Sequence, residues 1–175
     1  MKIRVIKLKS VKSTNEEAIK LIKKNVIKPT LINTEIQTKG KGTMGKKWIS
    51  IKGNLLFSIF FVINNTKINY KQFALLNAYL LKNILSKYVL KKINVKWPND
   101  LLIEKEKICG ILQETFFQNK KKFIVVGIGL NLVKSPKIKK YPTNYLNKYT
   151  SKKISKLMLF RSIKCLYEKK INYLI

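Results

Sequence analysis

The sequence has 175 residues and no histidine, with two cysteines (Cys109 and Cys165), one aspartate (Asp100) and eight acidic residues in all. Without imidazole, Ser-His-Asp and Cys-His nucleophilic catalysis are excluded. Two cysteines supply neither a disulfide framework nor a Cys-rich zinc site. Glycine (seven) and proline (four) are sparse, which excludes collagen-like and low-complexity classes. Residues 1–10 alternate charged with single apolar side chains, so they match neither a signal peptide nor a membrane span. A soluble cytoplasmic protein without membrane contact is expected.

Positive charge is abundant: 38 basic residues against 8 acidic ones give +30, and only Arg4 and Arg161 are arginine. Such an excess attracts polyanions. The lysines are nevertheless spread along the chain, and Ile and Asn are also frequent, the pattern that A/T-rich codons produce. Codon drift therefore explains the charge better than a nucleic-acid footprint, and no specific DNA partner is expected. The length suits one domain, and an apolar fraction of 46% supplies its core.

Ile3, Val5 and Leu8 suggest a first strand with one buried face. Ser13 and Glu16 have capping-box spacing, and Ala18, Ile19, Ile22 and Val26 continue the helix until Pro29. Leu31 to Gln37 reads as a strand, and Thr38 to Lys47, with three glycines and four lysines, as a loop. Leu55 to Ile63 is a strand buried on both faces. Phe73, Leu76, Leu80, Ile84 and Tyr88 mark a helix over Tyr70 to Leu90. Further strands are expected at Val95 to Trp97, Leu101 to Ile103, Ile108 to Phe117 and Phe123 to Leu132, the last two forming a hairpin around Gln118 to Lys122. Pro136 and Pro142 punctuate a loop, and Ile154 to Leu174 has the composition of a closing helix. The order implies an α+β fold, with a mixed, largely antiparallel sheet and helices packed on one side.

Three segments carry polar or glycine content that is costly unless used. Gly40 to Trp48 presents backbone amides and lysines suited to wrapping an anion, or is a solvated loop. Lys96-Trp97-Pro98-Asn99-Asp100 holds the single aspartate, followed by Lys107 and Gly110; an Asx turn capping a strand is the alternative. Gly127-Ile128-Gly129-Leu130-Asn131 places two glycines in a strand, either for a close approach or for a bulge.

Together these segments resemble the biotin protein ligases, which are related in fold to class II aminoacyl-tRNA synthetases and lipoate ligases. The resemblance rests on Ser13-Thr14-Asn15, on Gln37 to Trp48 with Gly53-Asn54-Leu55 beyond, on Val95 to Leu101, on Lys107 to Glu114 and on Gly127 to Asn131. It implies an ATP-dependent ligase that makes biotinyl-5'-adenylate and transfers biotin to a lysine of a biotin carboxyl carrier protein, with Mg²⁺ assisting. Lys107, Lys41 and Asp100 would be catalytic. Ser13, Thr14, Asn15, Gln37, Lys41, Gly42, Thr43, Lys107, Gly110 and Gly127 would bind biotin. Lys41, Trp48, Asn99, Asp100, Lys107 and Asn131 would meet ATP or the adenylate.

Lys41 stands where the family usually has arginine, keeping the charge without the bidentate fork. Thr43 replaces a second common arginine. Residues 1–175 would form one catalytic domain, as a monomer or weak homodimer, without the helix-turn-helix of regulatory members or the family's small C-terminal β-barrel. Lipoate ligase, sharing the fold, and a basic nucleic-acid-binding module are the alternatives.

Overall fold

The structure is a computed structural model that describes residues 2–63 and 69–171. Seven strands form one sheet: β1 (Arg4–Val11), β2 (Thr30–Gln37), β3 (Leu55–Val62), β4 (Ile93–Lys96), β5 (Asp100–Ile103), β6 (Glu106–Gln118) and β7 (Lys121–Leu130). Their order is β1-β2-β3-β7-β6-β5-β4. Only β1 and β2 run parallel; every other neighbouring pair is antiparallel. The mixed, largely antiparallel sheet matches the expectation from the order of elements. Central β3 is buried along its whole length, as a nearly continuous apolar run requires.

Both faces of the sheet are covered. On one, Phe57, Ile59 and Phe61 of β3 pack with Phe73, Leu81, Phe160 and Tyr167 from helices α2 (Tyr70–Leu85) and α3 (Lys156–Ile171). On the other, Phe60, Phe123 and Val125 pack with Ala18 and Ile22 of helix α1 (Thr14–Lys23). The one-sided arrangement thus holds for α2 and α3 only. Strand alternation splits the apolar run of β3 between two cores, so α1 also finds an apolar face to cover.

Local sequence explains most boundaries, and several differ from expectation. Ser13 occupies the N-cap of α1 in extended conformation, yet its side chain makes no capping hydrogen bond. Glu16 pairs with Lys41 instead of closing the box. Pro29 does not end α1. The helix stops at Lys23, where Asn25 takes a left-handed φ of 62° and the Asn25 and Val26 amides donate to the Ile22 and Leu21 carbonyls, a Schellman ending. Val26 packs beyond the helix against the same core.

Helix α2 starts with a capping box between Asn69 and Gln72 and ends at Leu85 rather than Leu90, which is fully exposed. Tyr88 still packs on the core from outside the helix. Ile154 is buried but precedes α3, and residues 172–174 of the expected closing helix lie outside the described residues. Asn119 and Lys120, both with positive φ, make the two-residue turn of the β6–β7 hairpin, the geometry whose twist suits such a connection.

Neither Gly127 nor Gly129 makes a bulge. The pairing of β7 with β3 and β6 runs through both positions without a shift. Gly127 and Gly129 follow Val125 at intervals of two, so they lie on the α1 face beyond the end of the helix, and Gly110 of β6 pairs with Gly129 there. That uncovered quarter of the sheet is where the sequence-expected residues converge.

Candidate active site

At the inner end of the cleft, α1 meets β2 and β3 through polar groups. The Thr14 amide and hydroxyl donate to Gln37 Oε1 at 2.8 and 3.0 Å. Ser58 Oγ lies 2.6 Å from Thr14 Oγ1 and 2.5 Å from Asn15 Oδ1. Asn15 Nδ2 donates to Glu114 Oε2 at 2.6 Å and to the Leu112 carbonyl at 3.4 Å. Ser13, Thr14, Asn15 and Ser58 are all buried. Burial of Thr14, Asn15 and Ser58 is tolerable because they satisfy one another together with Gln37 and Glu114, and the result is a polar wall.

Three glycines form the floor. A Cβ on Gly127 would overlap the Asn15 carboxamide, and one on Gly129 the Trp48 indole. A Cβ on Gly110 would sit 2.9 Å from Trp48 Cζ3 and 3.2 Å from Lys107 Nζ. The missing side chains thus explain the glycine content of β6 and β7 by close approach. Gly127→Ala is expected to lower stability by about 1–3 kcal/mol through overpacking, read as a fall in the thermal midpoint. The companion Gly42→Ala, whose Cβ has no neighbour nearer than 3.4 Å, should change it far less.

The outer end is cationic. Lys107 Nζ sits 2.7 Å from Asp100 Oδ1, with both side chains mostly buried. The approach is off the direction of a hydrogen bond, and among the described residues the buried Oδ1 has no hydrogen-bond partner. The ammonium also lies 5.7 Å from the Trp48 ring centre and 5.5 Å from that of Tyr141, within cation–π range of both. A strap after β7 fixes this position. The Lys107 amide donates to the Pro142 carbonyl, and the Asn144 amide donates to the Lys107 carbonyl. Glu106 anchors the strap by accepting from Asn144 Nδ2 and from the Tyr149 hydroxyl at 2.8 Å. Those two bonds hold the Glu106 carboxyl below the usual range.

The glycine-rich loop closes the remaining side. A bridge pairs Lys41 with Lys47, and a single 3-10 turn spans Thr43–Gly45. Lys41 Nζ reaches Glu16 at 2.7 Å; that bond raises the lysine and lowers the carboxyl relative to their ordinary pKa values. Trp48 Nε1 is buried with no hydrogen-bond partner among the described residues.

Ser13, Thr14, Asn15, Gln37, Lys41, Gly42, Thr43, Trp48, Asn99, Lys107, Gly110 and Gly127 all line one cleft of about 50 Å³. A broader groove of about 690 Å³ adjoins it, and Asp100 lines that groove. Asn131 lines neither but borders a small pocket with Trp48, Lys107 and Tyr141; its carboxamide is within 3.4 Å of Asn54 Nδ2 and donates to the Asn144 carbonyl at 3.2 Å, so it also braces the strap. Asn99 Nδ2 likewise donates to the Ile111 carbonyl at 2.9 Å. Cys109 is buried, and burial pushes its thiol up to about 12, which excludes it as a nucleophile.

Sequence reasoning passed over Ser58 and Tyr141. Ser58 had a signal, as the one polar residue inside the apolar run of β3. Tyr141 had none, because its place beside Lys107 depends on how the strap returns.

The Biotin/lipoate A/B protein ligase family model matches residues 7–131, and the chain belongs to that family. Among curated proteins it is 35% identical over 100 residues to the bifunctional ligase/repressor BirA of Escherichia coli, covering 56% of this chain and 31% of BirA. It is 29% identical over 127 residues to the biotin--[acetyl-CoA-carboxylase] ligase of Paracoccus denitrificans, covering 71% and 52% respectively. The chain therefore spans between about a third and a half of these relatives. Among solved structures, the biotin protein ligase of Aquifex aeolicus in complex with biotin and ATP superposes with a TM-score of 0.78 at 29% identity, covering 97% of this chain and 70% of that one. A Thermoplasma acidophilum lipoate protein ligase shares the fold alone, with a TM-score of 0.68 at 12% identity. Among the described residues no helix is long and apolar enough to cross a membrane.

Proposed function

We propose that this chain activates biotin with ATP and transfers the biotinyl group to a lysine of a biotin carboxyl carrier protein in the cytoplasm. The observation that carries this reading is a cleft with a polar wall at one end and a largely buried lysine side chain at the other. A ureido ring presents two N–H donors and one carbonyl. The hydroxyls of Ser13 and Thr14 and the carboxamide of Gln37, which line the cleft, supply matching partners. A lipoyl dithiolane offers no such groups, so it would gain no hydrogen bonds from this wall.

In the first step a biotin carboxylate oxygen attacks the α-phosphorus of ATP, and the bond to the β-phosphate oxygen breaks to release pyrophosphate. Lys107 stands where carboxylate and phosphate meet and offsets the negative charge that accumulates there. Trp48 contributes an aromatic wall and a free N–H donor for the nucleotide. In the second step the acceptor amine attacks the acyl carbon, AMP departs, and Asp100 orients the amine and takes its proton.

Mg²⁺ neutralises triphosphate charge when bound. Among the described residues no cluster of three His, Cys, Asp or Glu could hold a metal ion. Asp100 is the one acid lining the groove, and its Oδ1 already faces the Lys107 ammonium at 2.7 Å, so the ion would arrive on the nucleotide rather than at a protein carboxylate cluster. The direct test is to incubate the chain with biotin, ATP, Mg²⁺ and a carrier domain. A mass increase on the carrier, dependent on all three additions, is expected; its absence refutes the reading.

The loop from Gly40 to Trp48 should respond to ligand. The Lys41–Glu16 pair that holds it is half exposed and therefore weak. Limited proteolysis is expected to cut this loop several-fold more slowly with biotin and ATP than without. Equal rates would count against loop closure over the substrates.

A further inference from the structure

Strand β6 runs past the end of its neighbour, and another segment takes up the edge left open. Pairing with β7 begins at Cys109 and Leu130. Beyond it the strap stands in for a strand. Thr143 bridges Lys107 in parallel, the Lys107 amide donates to the Pro142 carbonyl, and the Lys107 carbonyl accepts from the Asn144 amide, both at 3.0 Å. The same segment brings the Tyr141 ring to 5.5 Å from the Lys107 ammonium. Between β7 and the 3-10 turn at Leu146–Tyr149 the strap has no helix or strand of its own, so side chains have to hold it.

A closed polar triangle supplies the hold. Asn144 Nδ2 donates to Glu106 Oε2 and, at 3.1 Å, to the Tyr149 hydroxyl, which itself donates to Glu106 Oε2 at 2.8 Å. Asn144 is buried, and Tyr149 packs on the core. A carboxylate only accepts, so both donors are committed to it, and bonds to a charged acceptor are roughly twice as strong as neutral ones. In a chain with 38 basic and 8 acidic residues, no lysine among the described residues pairs with this acid. Glu106 and Lys107 are consecutive in β6, so their side chains point to opposite faces. None of Glu106, Asn144 and Tyr149 lines the cleft or the adjoining groove.

We propose that Glu106, Asn144 and Tyr149 are positioning residues for adenylate formation: the triangle locks the strap, and the locked strap fixes Lys107 through its backbone and through Tyr141. The inference rests on the ligase reading above and adds which groups, outside the substrates' reach, keep the ammonium where carboxylate and α-phosphate meet. A lysine charge rides on a flexible stem, so its place depends on what surrounds it. With the strap released, the charge remains but Tyr141 no longer confines it. A misplacement of about 1 Å can cost on the order of a hundredfold in rate. No substrate contact is lost, so the effect falls on kcat rather than on ground-state binding.

Biotin-dependent exchange of pyrophosphate into ATP reads this step alone. Tyr149→Phe deletes one oxygen from a ring that keeps its packing, and Glu106→Gln replaces the carboxylate with a carboxamide of the same shape. Each is expected to lower kcat by about tenfold while biotin affinity, by calorimetric titration, stays within about twofold. The retained affinity also shows that the variant folds. In a background where Lys107→Met and Asp100→Asn together remove the ammonium and its partner, Tyr149→Phe should cause no further loss, because nothing remains for the strap to position.

Parental exchange rates in Tyr149→Phe and Glu106→Gln would overturn the assignment. So would a loss that persists undiminished in the background without Lys107, or biotin affinity that falls in parallel with kcat, since either marks a general loosening of the fold. Absence of exchange in the parental protein would refute the ligase reading, and the triangle would lose this role with it.

Discussion

Lys107→Ala is expected to lower adenylate formation by about 10²–10³-fold, the range seen when one preorganised charge-stabilising group is removed. The Lys107 side chain is largely buried between Trp48 and Tyr141 with Asp100 as its partner. The ammonium is therefore held in place before substrate arrives, with little reorganisation required at the moment of reaction. Truncation also leaves the Asp100 carboxylate buried without its counter-charge, which costs stability. Lys107→Met keeps the length of the side chain and removes only the charge. Paired with Asp100→Asn it relieves the orphaned carboxylate, so the fold can be checked independently. Pyrophosphate exchange at the parental rate in the folded double variant would remove Lys107 from the chemistry.

Thr43→Arg should change the fate of the adenylate rather than its formation. Thr43 lines both the cleft and the adjoining groove, and its hydroxyl accepts only a long 3.5 Å bond from Asn99 Nδ2. Biotinyl-adenylate is an activated anhydride, useful only while it is retained. Where the family pattern commonly supplies a guanidinium, this chain offers a hydroxyl, and Lys41 is drawn toward Glu16. Without acceptor, the parental protein is expected to release adenylate and label bystander lysines, its own among them. A charge-assisted guanidinium contact of about 1.5–3 kcal/mol would slow that release by roughly ten- to a hundredfold. Blotting for biotin on an unrelated lysine-rich protein measures it. Bystander labelling that is absent, or unchanged by Thr43→Arg, would show that other groups in the loop retain the intermediate.

Some of these residues were legible in the sequence because their cost is local. Glycine weakens a strand wherever it stands, so Gly127 and Gly129 pointed to either a close approach or a bulge, and the approach of Asn15 and Trp48 decides for the first. A lone aspartate in a lysine-rich chain, with Lys107 seven residues on, drew attention for the same reason, and the turn between β5 and β6 brings the two to 2.7 Å. Other features were misjudged because a distant group competed for a local one. The capping box expected at Ser13 and Glu16 gives way to an ion pair with Lys41, 25 residues away, while the box that does form, at Asn69 and Gln72, went unnoticed.

The sequence by itself determined the chemical repertoire: no imidazole catalysis, no disulfide framework, one apolar strand buried on both faces, and lysine as the available cation at every candidate position. Those are properties of composition and short-range periodicity, and no folding can alter them. Only the tertiary structure decided that α1 covers one face while α2 and α3 cover the other, that Ser58 joins Thr14 and Asn15, that Asn131 braces the strap, and that Tyr141 closes on Lys107. The reason is chain separation. Ser58 lies 44 and 43 residues from its two partners, and Tyr141 reaches Lys107 through a strap whose course depends on pairing outside the sheet. Contacts of that range leave no periodic trace in the sequence, since they depend on where the backbone returns.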